Sequence, residues 1–230
     1  LHDAYLSVAE SLNHAGYEVG AKVKIEWIDS ETVTRENASS IIGKYDGIVV
    51  PGGFGNRGTE GKIETAKYCR ENNIPYLGIC LGMQIAVIEF ARNVCQMSDA
   101  NSGEFDEHSA HRVIDFLPDQ YHGINMGGTL RLGAYPCKIA KDTQMYRCYG
   151  CEMISERHRH RYEFNNAFRE ELEHAGLCVS GTSPDGYIVE TVEIPGNDFF
   201  VGVQYHPEFK SRPNKAHPLF LGLVSAALKN

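Results

Sequence analysis

Residues 74–94 read IPYLGICLGMQIAVIEFARNV, and this stretch decides the fold. IPYLGIC (74–80) is a short unbroken apolar run, the pattern of a strand covered on both faces. LGMQIAVIEFARNV (81–94) follows at once with apolar residues at helical spacing. Upstream, YDGIVV (45–50) is a second short apolar strand that runs into PGGFGNRG. TEGKIETAKYCREN (59–72) then places Ile63, Ala66, Lys67 and Arg70 at helical spacing. Strand–helix–strand–helix alternation predicts an α/β fold, with a mostly parallel central sheet and helices on both faces.

The flanks extend this frame. Residues 3–15 place Tyr5, Val8, Ala9 and Leu12 on one helical face, with Asp3 as a cap and Gly16 as a stop. AKVKIEWI (21–28) alternates like a half-buried strand. Residues 95–129 are polar and weakly periodic, and are expected to form long loops. LRLGAYPCKI (130–139) reads as a strand and residues 166–174 as a short helix. GLCVSGT, GYIVETVEI and FFVGVQYH are strand-like runs between turn signals, expected to form a mixed or antiparallel extension. PLFLGLVSAAL (218–228) is the last helix.

Composition narrows the classes. With 230 residues, 42% hydrophobic and 23% charged, the chain suits one large domain with a sizeable core. No run approaches ~18 consecutive apolar residues, so no transmembrane helix and no membrane partner are expected. The chain opens on Leu1 without a basic-then-apolar leader, and is expected to be a piece of a longer polypeptide. A net charge of −8 repels phosphate backbones and argues against nucleic acid. Seven scattered cysteines, an odd number, argue against a disulfide framework and for a reducing, cytoplasmic setting.

The sharpest chemical signal is Gly78-Ile79-Cys80-Leu81-Gly82, at the strand-to-helix junction. A nucleophile on such a bend needs small neighbours, because the turn is tight. The helix behind it aims unpaired N–H groups and a positive dipole at the sulfur, which favours the reactive thiolate. A free cysteine is ordinarily a buried structural residue; the Gly-x-Cys-x-Gly context between strand and helix favours the nucleophile. Its base is expected in Gln204-Tyr205-His206-Pro207-Glu208. Pro207 holds His206 extended, and residues i and i+2 of an extended chain project to one side. Glu208 can then brace the His206 imidazole, completing a triad recognised by roles. An oxyanion needs two N–H donors. Leu81 can supply one, and the Gly53 amide in Pro51-Gly52-Gly53-Phe54-Gly55 the other. GTEGK (58–62) fails the phosphate-loop pattern at Asn56 and Ile63, so no ATP site is expected here.

Taken together, PGGFGNRGTEGKI, IPYLGICLGMQIAVIEFARNV, GGTLRLG, ERHRHRYEFNN and GVQYHPEFKSRP resemble the glutaminase domains of the CTP synthase family, a branch of the class I glutamine amidotransferases with a flavodoxin-like sheet. The resemblance spans nearly the whole chain and makes residues 1–230 one glutaminase domain, with an N-terminal synthetase domain absent from this sequence. It implies that Cys80, His206 and Glu208 hydrolyse L-glutamine to glutamate and ammonia through a thioester. It implies that Gly53, Leu81, Gly82, Met83 and Gln84 line the glutamine pocket, that Glu104 meets the substrate ammonium and that Arg161 holds the α-carboxylate. No metal or cofactor is implied in this domain. The family's full-length enzyme uses ATP and Mg to turn UTP into CTP, responds to GTP and assembles as a tetramer. GGTLRLG, with Arg131, would hold at most part of a GTP site. A strand that precedes Asp3 in the family is absent from this sequence.

Spacing supports the head-group assignment. In an extended RHRHR run, Arg157, Arg159 and Arg161 share one face, and His158 and His160 the other. Arginine forks onto carboxylates, although a charged run is also the pattern of a solvated face or a domain contact. His108, His111 and His122 lie in polar sequence and are weaker bases. Three other readings compete with a glutaminase: a γ-glutamyl or cysteine peptidase on the same elbow, a non-catalytic module with a vestigial site, and a metal site at Cys148-x-x-Cys151 with His158 and His160, whose spacing is poor for zinc.

Overall fold

The computed structural model describes residues 2–116 and 131–229. His122 and residues 127–130 of GGTLRLG lie outside the described residues. The chain begins with a 3-10 turn and helix α1 (Leu6–Val19), then α2 (Ala38–Ile42), strand β1 (Ile48–Val50), α3 (Thr59–Glu71), β2 (Tyr76–Ile79) and α4 (Leu81–Asn93). After these come β3 (Asn101–Ser102), β4 (Arg112–Phe116), β5 (Arg131–Ile139), α5 (Gln144–Tyr149), β6 (Met153–His160), β7 (Tyr162–Phe164) and α6 (Arg169–His174). The chain closes with β8 (Cys178–Thr182), β9 (Val189–Glu193), β10 (Phe200–Val203) and α7 (Pro218–Ala227).

The main sheet has seven strands in the order β1-β2-β10-β9-β8-β5-β6. β1, β2 and β10 run parallel, and the pairings from β10 through to β6 are antiparallel. The α/β fold is therefore the expected one. Its parallel part holds three strands, and the antiparallel extension makes up the rest.

Side-chain alternation explains why helices cover both faces. Tyr76 and Phe200 point into one core with α3 and α4, while Leu77, Ile79, Val201 and Val203 point into the other with α1 and α7. Strands wet on neither face need no polar alternation, which is why IPYLGIC reads as an unbroken apolar run. Residues 81–91 of α4 are all buried. The helix is wedged between the main sheet and a second, three-stranded sheet, β3-β4-β7. Arg70 of α3 forks onto the fully buried Glu89 of α4 at 2.8 and 2.9 Å, tying the two helices together.

Several expectations need correction. Residues 21–28 form no strand: their exposure largely alternates, but among the described residues no ladder runs beside them. Alternation sets the two faces of a strand, whereas pairing needs a neighbour. Gly16 does not end α1. It sits inside the helix because the chain folds back against it: a Cβ there would lie 2.7 Å from the Ala21 oxygen. The helix closes at Gly20, in the left-handed region with φ 70°. Asp3 lies in the preceding 3-10 turn, and Tyr5 holds the cap position. The polar stretch 95–129 is not all loop, since it contributes β3 and β4. Both strands are too short or too polar to carry a periodic signal, and α4 buries them from one side. No helix among the described residues is long and apolar enough to cross a membrane.

The elbow itself is a packing constraint. A Cβ on Gly82 would stand 2.0 Å from the Val50 carbonyl oxygen of β1, and one on Gly78 would stand 2.5 Å from the Gly82 oxygen. Bulk at either place forces α4 away from the sheet. Gly82→Ala is expected to destabilise the protein by about 1–3 kcal/mol, the usual cost of overpacking a tight contact. Chemical denaturation measures it, and an unshifted midpoint would contradict the close approach.

Candidate active site

Two adjacent parallel strands end at the site. β2 and β10 pair in register, Gly78 beside Gly202 and Ile79 beside Val203, and the Cys80 N–H donates to the Val203 carbonyl at 2.7 Å. The residue after each strand therefore leaves the sheet at the same edge, which brings Cys80 beside the 204–206 segment. Cys80 caps α4 with φ 51° and ψ −102°, a backbone state rare for a residue with a side chain. Its carbonyl accepts from the Met83 and Gln84 N–H groups at 3.1 and 3.2 Å. The N–H of Leu81, at the very start of the helix, is one of those that a helix start leaves without an intrahelical acceptor.

His206 meets Cys80 around Gly52. A Cβ on Gly52 would lie 2.8 Å from His206 Cε1 and 3.5 Å from the Cys80 Cβ, so both residues face the same side of Gly52 and only a glycine leaves room for the ring there. The neighbouring Gly53 packs on the Leu81 side chain, 3.2 Å from where its own Cβ would be. The loop after β1 and the start of α4 thus lie against each other. Cys80 is only 3% exposed, whereas Phe54 of the loop is exposed.

His206 Nδ1 and Glu208 Oε1 are 2.7 Å apart. The contact expected from extended i, i+2 geometry is present but arises differently. His206 is extended (φ −113°, ψ 86°), while Pro207–Phe209 form a 3-10 turn that swings Glu208 back under the ring. The His206 N–H is anchored on the Arg157 carbonyl of β6 at 2.8 Å, and the ring stacks on Phe209. Burial opposes charge on this imidazole, but hydrogen bonding and charge interaction with Cys80 and Glu208 outweigh it and raise the pKa to about 10. Nε2 is buried and makes no hydrogen bond of full geometry. The interaction with the sulfur is thus looser than an aligned bond, and Coulomb attraction tolerates that.

The residues expected at the glutamine head group lie on separate elements. Glu104 follows β3 and accepts from the Gly55 N–H at 2.8 Å, which ties the small sheet to the Gly-rich loop. Arg161 sits exposed at the bend between β6 and β7, with no ion pair among the described residues. Met83 is fully buried, packed against Gly202. Gln84 is buried as well, and its amide donates to the Tyr162 carbonyl and to Gln204 Oε1 at 3.1 and 3.3 Å. The RHRHR faces divide as the spacing predicts: Arg157 and Arg159 are exposed, His158 and His160 buried.

Two features escaped the sequence. The first is Gln204, fully buried, whose Nε2 donates to Cys80 Sγ at 3.6 Å. Its place two residues before His206 was the available signal. The second is an ionic cluster behind the site. Arg131 pairs with Glu190 at 2.6 Å, and His158 bonds His160 at 2.8 Å. Burial holds His158 down to about 2 and His160 to about 3, and pushes Glu163 and Glu190 upward. Both imidazoles are therefore neutral and add no positive charge beside His206. All seven cysteines are free, and no group of three or more His, Cys, Asp or Glu among the described residues is disposed to hold a metal.

Comparison with known proteins places this geometry. A family model for class I glutamine amidotransferases matches residues 1–226. The chain is 57% identical over 230 residues to a CTP synthase of Staphylococcus saprophyticus and 56% identical to one of Listeria innocua, spanning all of this chain and 43% of each of those proteins. The solved glutaminase domain of Trypanosoma brucei CTPS, with bound acivicin, superposes with a TM-score of 0.93 at 42% identity, covering 99% of this chain and 89% of that one. A putative GMP synthase component from Thermoplasma acidophilum shares the fold at a TM-score of 0.57 and 17% identity, over 94% of this chain and 85% of that one.

The raised imidazole pKa has a defined sign. A histidine at about 10 folded against the ordinary 6.5 adds stability in full below pH 6.5 and loses it as pH climbs toward 10. Glu208→Gln removes one of the two groups that raise it. The His206 titration midpoint, read by NMR, is expected to fall, and the alkaline loss of stability to begin at lower pH. An unmoved midpoint would mean that Glu208 does not brace the ring.

Proposed function

The chain belongs to the class I glutamine amidotransferases, in the branch formed by the glutaminase domains of CTP synthases, and on that premise we propose that it hydrolyses L-glutamine through Cys80, His206 and Glu208. The observation that carries this reading is the convergence of Cys80 and the Glu208-braced His206 on the same side of Gly52. The Cys80 thiolate attacks the side-chain carbonyl carbon of glutamine. The C=O π pair moves to oxygen, where the Leu81 and Gly53 N–H groups stabilise the charge. The C–N bond then breaks as His206 delivers its Nε2 proton to nitrogen, and ammonia leaves a thioester. Neutral His206 next takes a proton from water as the hydroxyl adds to the thioester carbon. Collapse of that second intermediate breaks the C–S bond, releasing glutamate and restoring the thiolate–imidazolium pair. Glu208 holds the Nδ1–H throughout, which keeps Nε2 aimed at the reacting atoms.

Glu104 and Arg161 supply the anion and cation that a zwitterionic amino acid needs at its head. Leu81, Gly82, Met83 and Gln84 contribute through the backbone at the start of α4, since the side chains of Met83 and Gln84 face inward. The whole of 1–230 acts as one glutaminase domain in a cytoplasmic enzyme. The chain spans 43% of the length of the CTP synthases it matches, and a synthetase domain occupies the remainder. That domain uses ATP and Mg to aminate UTP with the ammonia, in a tetramer under GTP control. Arg131, the described arginine of GGTLRLG, is engaged in a buried ion pair with Glu190. A GTP site would draw on it only if that pair opened.

Cys80→Ala is expected to abolish glutamine hydrolysis while the full-length enzyme still makes CTP from free ammonia. A glutamine-analogue electrophile is expected to label the Cys80 peptide, read by mass spectrometry. Ammonia should be released from free glutamine and not from γ-glutamyl peptides. Wild-type hydrolysis by Cys80→Ala would refute the mechanism, and turnover of γ-glutamyl peptides would point to the peptidase alternative.

A further inference from the structure

Cys80 is 3% exposed and has little water around it, and a thiolate there needs donors from the protein. His206 is one. The helix start supplies a second, weaker influence through its dipole. Gln204 stands on the third side. It is fully buried, its backbone N–H is taken by the Glu190 carbonyl at 2.8 Å, and among the described residues its Nε2 donates to Cys80 Sγ alone.

An amide can face a sulfur with either end, and the two ends act oppositely. A carboxamide oxygen repels a thiolate, while its N–H₂ stabilises one, because hydrogen bonds to an ionised acceptor are the strong kind. The neighbours decide the orientation. The Gln84 N–H₂ group points at two carbonyl-type oxygens, that of Tyr162 at 3.1 Å and Gln204 Oε1 at 3.3 Å. With Oε1 occupied as an acceptor, Gln204 must turn Nε2 toward Cys80. The Tyr162 oxygen also lies 3.3 Å from His160 Nδ1, so the relay is anchored on the backbone at the start of β7.

We propose that Gln204 is a third stabiliser of the Cys80 thiolate, held with its N–H₂ toward the sulfur by a Tyr162–Gln84–Gln204 relay. The proposal rests on the reading that Cys80 is the nucleophile. Gln204 touches the reacting atom, and Gln84 acts through it as a positioning residue. A neutral thiol is a weak acceptor, so the donor favours the ionised form selectively. Among the described residues the titratable groups that face the sulfur are His206 and, through its ring, Glu208. His158 and His160 of β6 act on His206 and are held neutral by burial.

The test is alkylation of Cys80 by iodoacetamide as a function of pH, followed on the Cys80 peptide by mass spectrometry to separate it from the other six thiols. In Gln204→Leu the midpoint is expected to rise by about one pH unit, since a lost bond to the charged form costs roughly that. Gln84→Leu should move it the same way by a smaller amount, because the Gln204 amide is then free to turn. Folding of each variant is checked by its thermal transition. A folded Gln204→Leu protein with an unmoved midpoint would overturn the proposal and leave Gln204 a packing residue. Should Gln204→Leu not fold, the Gln204 side-chain amide resonances of the wild type decide. They should shift as Cys80 ionises, and constancy across that titration would overturn the proposal. Iodoacetamide reads thiolate whatever the substrate, so failure here is distinct from failure of the glutaminase reading, which Cys80→Ala tests.

Discussion

The site depends on the register between β2 and β10. With Gly78 beside Gly202 and the Cys80 N–H on the Val203 carbonyl, the two strands reach the sheet edge together. One then bends sharply into α4 and lifts a sulfur. The other runs two residues further and turns an imidazole toward it. A slip of one residue would turn the side chains of β10 to the opposite face. Both strands are buried on both faces, so such a slip would also exchange Phe200 with Val201 between two packed cores. Core packing thereby protects the geometry of the chemistry.

The glycines express the same constraint from the other side. Gly82 lets α4 start within reach of the β1 carbonyl, and Gly52 leaves the space that the His206 ring occupies beside Cys80. These are contacts too short for a Cβ, so three consecutive strand ends meet at one point. The small sheet β3-β4-β7 covers α4 and brings Glu104 onto the Gly55 amide. The antiparallel arm contributes its Arg157 carbonyl to hold the His206 backbone. Parts from five strands thus share one site, and no local segment could assemble it alone.

Charge is arranged around a single imidazole. Glu208 and Cys80 draw a proton onto His206 despite its burial, while His158 and His160 stay neutral close by. Had those two histidines been charged, they would have pushed the His206 proton off. Their burial on the inner face of β6 leaves Arg157 and Arg159 in solvent, and the alternation of one strand separates the two populations. The Arg131–Glu190 pair behind them belongs to the same low-dielectric region, where an ion is tolerated only with a partner.

Legible in the residues themselves were the βα units, the bend at Cys80 and the pairing of His206 with Glu208, because each rests on short-range rules: apolar runs, helical spacing, small residues at a tight bend, a histidine followed by Pro-Glu. Residues 21–28 misled because alternation marks a face but not a neighbour. β3 and β4 were hidden because β3 is two residues long and β4 sets only Val113 and Ile114, both buried, between charged residues, too few to show a period. Glu208 reached His206 by a 3-10 turn where an extended chain had been expected, since the local pattern constrained His206 and left its successors free. Gln204 and Gln84 went unassigned to each other because 120 residues separate them and an amide has no sequence signature for which end faces a sulfur. Local sequence alone determined which residues could react. Only tertiary packing decided which of them meet and in what protonation state, since proximity and burial arise from contacts between distant segments.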